Sequence, residues 1–584
     1  MSIEEVLSFF DKVEKKGFTT YDIVGKLSEL DEIEKKKNEY QYEILAFQLQ
    51  PSNDENTPWN TYYGPQLTFT DQNGNLIYRP SFDSITKEAI HYWEKRYKIV
   101  NNPLLVMRYA GLVWDFKRII AHEKYDSDLY RKYVDSMLKI CNEDYAQHPV
   151  ITTNILERLF VLVNGNLDDL RLLKSAYKEF EKRNAKDDAV RYWASQFLMM
   201  LKYRKCFEQE EIDDLVSQHE QRLLRLKTPD IDGKINPWNV QQQAELLADY
   251  YNSQQNRVEI KRVLEIVEES FAHESDKITK MQLMGNYELL YKKYRHYSLE
   301  DEAKRIAAEI QRIGKNAKDE LQTQNIEFSI PKEVFEQAQS MFGEKAQSDV
   351  ERWTNFIVYF IPRKEKEKIC LKDLVGKYPL KFMCSTNLMD SKGRPMSIIG
   401  SYESDPEGHL ILHIAEKMNL NAYFLDYAIK VMMQTGALST EKIMNNFIKD
   451  SPLFEDNRYV VIEKALDSFF QQDFVIMCHL LVPQIENAIC NLVELSGTTV
   501  LKSQRKGNGF QLKTLDELLG EKIVKDVFTE DGAFYLRLVL SEQRGLNIRN
   551  LLCHGLVPPD NFNAVVAERL IHVLLMLGSV KYTS

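Results

Sequence analysis

Apolar residues recur at helical spacing from near Thr86 to about Gln324, and this long run of one periodicity restricts the fold more than any other feature of the chain. Within it, NPLLVMRYAGLVWDF, AELLADYYNSQQ and MQLMGNYELLYKKYRHYSLEDEAKRIAAEI combine small residues with large aromatics. Such segments read as pairs of helices stacked on one another. At 584 residues the chain is too long for a single core, so several domains are expected.

The helix pairs resemble tetratricopeptide-like α-solenoids, although no strict repeat register emerges. A tyrosine-rich concave face on such a region would suit a protein partner. Packing between helices explains the same residues, and is favoured. Residues 1–85 read as helix followed by a β-hairpin, with Asn73-Gly74 between two alternating segments in QLTFTDQNGNLIYRP. Residues 86–325 are the solenoid-like region. Residues 326–455 are linker helices with a small mixed insertion at 371–415, where SKGRP and SDPEGH mark turns between the β-like runs KFMCS and LILHI. Residues 456–584 form a last helical domain, with a kink or helix start at Pro483 and a polar loop at SGTTVLKSQRKGNGFQ.

Charge and cysteine usage exclude some classes. A formal net charge of -11 opposes non-specific coating of nucleic acid or anionic membranes. From Gln471 onward 11 basic residues meet 12 acidic ones, so this part is nearly neutral and tolerates a local phosphate site. The seven cysteines form no C-x-x-C pair and suggest reduced thiols in a cytoplasm. The N-terminus lacks the layout of a signal peptide. No apolar run approaches the roughly 18 residues of a membrane span. VVAERLIHVLLMLGSV comes nearest, but Glu568, Arg569 and His572 make it a buried or amphipathic helix. A soluble, cytoplasmic protein without a membrane partner is the expectation.

Familiar catalytic motifs are absent: there is no G-x-x-x-x-G-K-[ST], G-x-S-x-G or H-E-x-x-H. His409 and His413 stand four apart, but HLILH alternates like a strand and offers no third ligand, so no metal site is assigned. Cys478-His479 and Cys553-His554 are adjacent pairs, whose side chains diverge on a helix. Lys502, Arg505 and Lys506 lie beside two glycines and offer a basic loop to a phosphate backbone. A solvated connection between helices accounts for them more simply.

The stretch LSEQRGLNIRNLLCHGLVPPD poses the sharpest question. Ile548, Leu551 and Leu552 give an apolar side, while Asn547, Asn550 and His554 give a polar one. A histidine in the last turn, Gly555 as C-terminal cap and Pro558-Pro559 as a stop explain His554 and Gly555 by helix ending alone. Arg549 and Asn550 are left without a structural reason.

Arg549, Asn550 and His554 in that spacing resemble the R-N-x-x-x-H motif of HEPN domains. The flanks FYLRLVLSEQRGLNIRNLLCHGL and LLVPQIENAI are similar to the C-terminal HEPN-like domain of bacterial proteins of unknown function. That domain is shared with the animal endoplasmic-reticulum-membrane-associated RNA degradation protein. The match covers about the last 115 residues, and NPLLVMRYAGLVWDF resembles the helical region that often precedes the domain. The resemblance implies a C-terminal HEPN-like helical bundle on a mainly α protein. It also implies metal-independent RNA cleavage by 2'-hydroxyl attack, leaving a 2',3'-cyclic phosphate and needing no cofactor. His554 would move a proton, Arg549 would hold phosphate oxygens, and Asn550 would orient His554 or the substrate. Glu486 is the candidate for an additional polar member from a neighbouring helix, with a helix-surface carboxylate that merely pairs with a base as the equal alternative, while Lys502, Arg505, Lys506, Arg544 and Asn547 would contact RNA. Dimers with two facing motifs, and a stress or anti-phage defence setting, follow by family analogy. A non-catalytic interaction scaffold and a nucleotide-binding regulatory module are the alternatives.

Overall fold

The computed structural model describes residues 2–14, 16–52, 57–71, 75–187, 194–321, 329–346, 348–504 and 508–582. The protein is mainly α-helical, and its described strands form isolated antiparallel pairs instead of a larger sheet. The chain divides into two compact units, Met1–Ile278 with Asn286–Ile306, and Thr279–Gly285 with Ala307–Ser584.

In the first unit, four helices, Ile3–Asp11, Thr20–Ser28, Glu32–Lys35 and Asn38–Gln48, precede a hairpin of Leu67–Thr70 on Leu76–Arg79. Its Asn73-Gly74 turn lies outside the described residues. Helices then pack in succession: Lys87–Ile99 on Pro103–Phe116, that helix on Leu129–Glu143, and Pro237–Ser253 on Arg257–His273. Local start signals set their ends. Asn102 caps Leu104 ahead of Pro103, and Asn236 caps Trp238 ahead of Pro237. Tyr109, Tyr250, Tyr294 and Tyr297 are buried, so these tyrosines pack between helices and present no exposed face. Close packing extends to Gly111, where a Cβ would lie 2.7 Å from the Tyr63 ring and 2.8 Å from the Tyr133 hydroxyl.

In the second unit one hydrophobic core joins the segments 326–455 and 456–584, uniting Phe356 and Leu425 with Ile489 and Leu574. Its centre is the Ala564–Gly578 helix, buried on nearly every side. The Phe474–Leu495, Ala422–Gln434 and Asp349–Tyr359 helices pack around it. Asp473 starts the Phe474–Leu495 helix and Pro483 is carried inside it, so the proline is not the start. By length and composition this helix could cross a membrane, with mean hydropathy 1.3 over its most apolar window. That corrects the expectation of no such run. Half of that window is buried within the protein, as befits a core helix.

The 371–415 region also departs from the sequence reading. The strands are Thr386–Met389 and Pro395–Ile399, paired around the SKGRP turn. KFMCS instead begins within the short Pro379–Met383 helix, and LILHI lies in the Pro406–Leu420 helix. Asp405 caps Gly408 at 2.8 Å with Pro406 in the first turn. Leu410, Ile411, Ile414 and Met418 then bury one helical face. The polar loop after residue 496 contains a further hairpin, Leu501–Ser503 on Phe510–Leu512.

Candidate functional site

After the Lys522–Leu540 helix the chain reverses tightly. Gly545 N–H donates to the Glu542 carbonyl at 2.9 Å and Leu546 N–H to the Leu538 carbonyl at 2.9 Å. Asn547 then takes a left-handed conformation, φ 52°, and begins the Ile548–Cys553 helix. Asparagine tolerates this region better than most residues with a Cβ. Ile548 and Leu552 bury the inner face. The helix closes with a Schellman arrangement at Gly555, φ +57°: Gly555 N–H donates to Leu552 and Leu556 N–H to Leu551. The capping account of His554-Gly555 is therefore what the backbone does.

Arg549 faces the Phe474–Leu495 helix, where Glu486 meets it in a two-pronged ion pair. Nε and Nη2 donate to the two carboxylate oxygens, each at 2.9 Å. This matched fork fixes the guanidinium plane. Nη1 donates to Asn550 Oδ1 at 3.0 Å. Asn550 Nδ2 in turn donates to Asn547 Oδ1 at 2.8 Å and to the Ser541 carbonyl at 3.3 Å. Arg549 is held above its ordinary pKa first by the hydrogen bond to Glu486. The pair remains partly open to solvent, with side chains 23% and 28% exposed.

The network continues along the surface. Ser541 Oγ donates to Asp516 at 3.1 Å, Arg537 Nε reaches the same carboxylate at 3.1 Å, and Arg537 also pairs with Glu542 at 3.2 Å. Cys553 adjoins the cluster, and its thiol is raised first by burial and also by the Glu486 charge, against the lowering effect of Arg549. Nothing local in the sequence tied Ser541, Asp516 or Arg537 to Arg549, because the links cross separate helices.

His554 is exposed at the end of its helix, and its ring has no hydrogen bond or ion pair among the described residues. Asn550 serves Arg549 and not His554, because both ends of its amide are already engaged. Asn547 is buried and holds Asn550, which removes it from the set facing RNA. Arg544 pairs with Glu542 at 2.9 Å and approaches Asp405 at 3.6 Å. Lys502 pairs with Glu517, so its charge is engaged within the protein. Arg505 and Lys506 lie outside the described residues.

The other sequence candidates resolve into structural contacts. His409 Nε2 donates to the Gly400 carbonyl at 2.8 Å, and His413 faces Glu367 at 3.3 Å. They do stand one helical turn apart, contrary to the strand reading. His479 Nδ1 bonds the Val475 carbonyl at 2.7 Å while Cys478 is buried. Among the described residues no group of three or more His, Cys, Asp and Glu is arranged to hold a metal ion.

In comparisons with known proteins, the chain matches no protein-family model and no curated protein.

Proposed function

We propose that the protein is a metal-independent endoribonuclease of HEPN type acting through Arg549 and His554. The observation that carries this reading is the pairing of a fixed, half-open arginine with a solvent-facing, unengaged histidine five residues away on one short helix. The reaction needs an anchored cation for the phosphate oxygens and a group that moves a proton. Glu486 and Asn550 fix the guanidinium of Arg549, and its side chain stays partly open to solvent. Attack of the 2'-hydroxyl on the adjacent phosphorus would expel the 5'-oxygen and leave a 2',3'-cyclic phosphate. His554 takes a proton from the nucleophile or returns one to the leaving oxygen. A second copy of the chain, with its own motif across a shared cleft, supplies the complementary acid or base. The seven free thiols support a reducing compartment such as the cytoplasm. A stress or defence setting, with the first unit as regulator or partner platform, belongs to the same reading by analogy.

One observation favours a second reading, a non-catalytic scaffold. Glu486 and Asn550 together occupy all three guanidinium nitrogens of Arg549, which is also what a purely structural cluster does. Incubating wild type, Arg549→Ala and His554→Ala with cellular RNA in EDTA separates the two. Cyclic-phosphate ends from wild type alone support the nuclease. A folded wild-type dimer that leaves RNA intact supports the scaffold.

A further inference from the structure

Away from the Arg549 cluster, the second unit holds a cleft of about 650 Å³ between the Lys332–Phe342, Asp349–Tyr359, Lys364–Lys377 and Pro406–Leu420 helices and the central Ala564–Gly578 helix. Its charge is unlike that of the chain as a whole. The protein is acidic, yet the lining has four basic residues, Arg363, Lys366, Lys417 and Arg569, and one acidic residue, Glu367. Lys417 and Glu367 neutralise each other at 2.6 Å. Arg363 and Lys366 are exposed on the rim and have no ion-pair partner among the described residues.

Arg569 is the unusual member. It is only 3% exposed, lines the cleft, and donates from Nη2 to the Met418 carbonyl at 3.3 Å. Its Nε has no hydrogen-bond acceptor, and no carboxylate pairs with it among the described residues. The adjacent Glu568 does not serve, because burial first and Asp426 second push its carboxyl up to about 8. A buried guanidinium without a counter-ion is costly, and an anion entering from the cleft relieves that cost. Beside the cations stands a wall of rings. Tyr359 is 42% exposed, and Phe424 backs it with ring centroids 5.1 Å apart. The space suits a ligand larger than a simple ion.

We propose that this cleft binds a small phosphorylated molecule with a flat ring, of mononucleotide size. Its phosphate would meet Arg569, Arg363 and Lys366, and its ring would lie on Tyr359. The inference does not depend on RNA cleavage, since none of the residues around Arg549 lines the cleft.

Calorimetric titration of the full chain tests it with AMP, ATP, ribose 5-phosphate, inorganic phosphate and adenosine as separate probes. A nucleotide should bind at least about tenfold more tightly than ribose 5-phosphate or adenosine, a gap of about 1.4 kcal/mol. Arg363→Ala with Lys366→Ala should weaken that binding about tenfold without lowering the unfolding temperature, because both side chains are exposed. Tyr359→Ala should erase the preference for a ring. Absence of binding by every probe overturns the proposal, as does nucleotide affinity unchanged in the double variant. Equal binding of adenosine and AMP overturns the phosphate role.

Discussion

The second unit contains two arginine–histidine pairs built on apolar helices, and they have opposite surroundings. Arg549 and His554 lie at the surface, whereas Arg569 and His572 lie in the core. His572 is fully buried, and both ring nitrogens are occupied, Nδ1 by the Tyr535 hydroxyl at 2.7 Å and Nε2 by the Ile357 carbonyl at 3.1 Å. A carbonyl only accepts, so Nε2 carries the proton and Tyr535 donates to Nδ1. Burial first, and Arg569 next, hold His572 down to about 3, so the ring stays neutral. It has no nitrogen left for chemistry. His554 has the reverse arrangement, with an exposed ring and no bonded partner among the described residues. The two arginines also trade roles: the partly open one has a carboxylate, and the buried one has none among the described residues. Residue type is therefore a poor guide to function here. Occupancy of the polar atoms separates the core histidine from the exposed one.

The largest effect that tests this contrast is expected in the core. His572→Ala should cost about 3 kcal/mol or more in urea unfolding, because it opens a cavity and strands the Tyr535 hydroxyl and the Ile357 carbonyl. A loss below about 1 kcal/mol would show that the buried pair is not structural.

Acid titration comes next. His572 has a folded pKa of about 3 against an ordinary 6.5, so the unfolded chain takes up the proton first. Its stabilising contribution is complete above 6.5 and is lost as pH falls toward 3. Glu568 runs the other way. Raised from 4.5 to about 8, it contributes fully below 4.5 and its contribution is lost as pH rises through 8. Unfolding temperatures across pH should therefore show Glu568→Gln gaining on wild type on the alkaline side. Parallel curves would break the assignment.

A smaller change is expected at the open pair. Glu486→Ala should cost about 1 kcal/mol, since half-exposed ion pairs contribute little. RNA cleavage should fall with it if Arg549 needs its fork held, and Glu486→Gln should retain part of the activity. The smallest stability effect belongs to His554→Ala, within about 0.5 kcal/mol, while cyclic-phosphate production disappears. A variant that unfolds readily would place His554 with His572 among structural histidines.

The helix ending at His554-Gly555 was legible because a Schellman cap is made by neighbours in the chain. The partner of Arg549 was not legible with the same directness. Glu486 is 63 residues away on another helix, and only its place in a polar position of VPQIENAI hinted at it. HLILH misled because five residues are too few to separate a period of two from one of 3.6. Asp405-Pro406 just before it carried the decisive start signal. At KSQRKGNG the polarity concealed a short hairpin, whose strands expose most of their side chains and so leave no apolar alternation to read.

By itself the sequence determined the helical class, the helix end at Gly555, some of the turns, and the short helix on which Arg549, Asn550 and His554 stand. These depend on periodicity and on bonds between residues a few positions apart. Only the tertiary structure decided that Glu486 clamps Arg549, that Asn547 turns inward, and that Arg569 reaches a cleft without a counter-ion among the described residues. Each of those outcomes depends on which helices pack together. Packing is set by the summed burial of many apolar side chains across the whole unit, and no local window contains that sum.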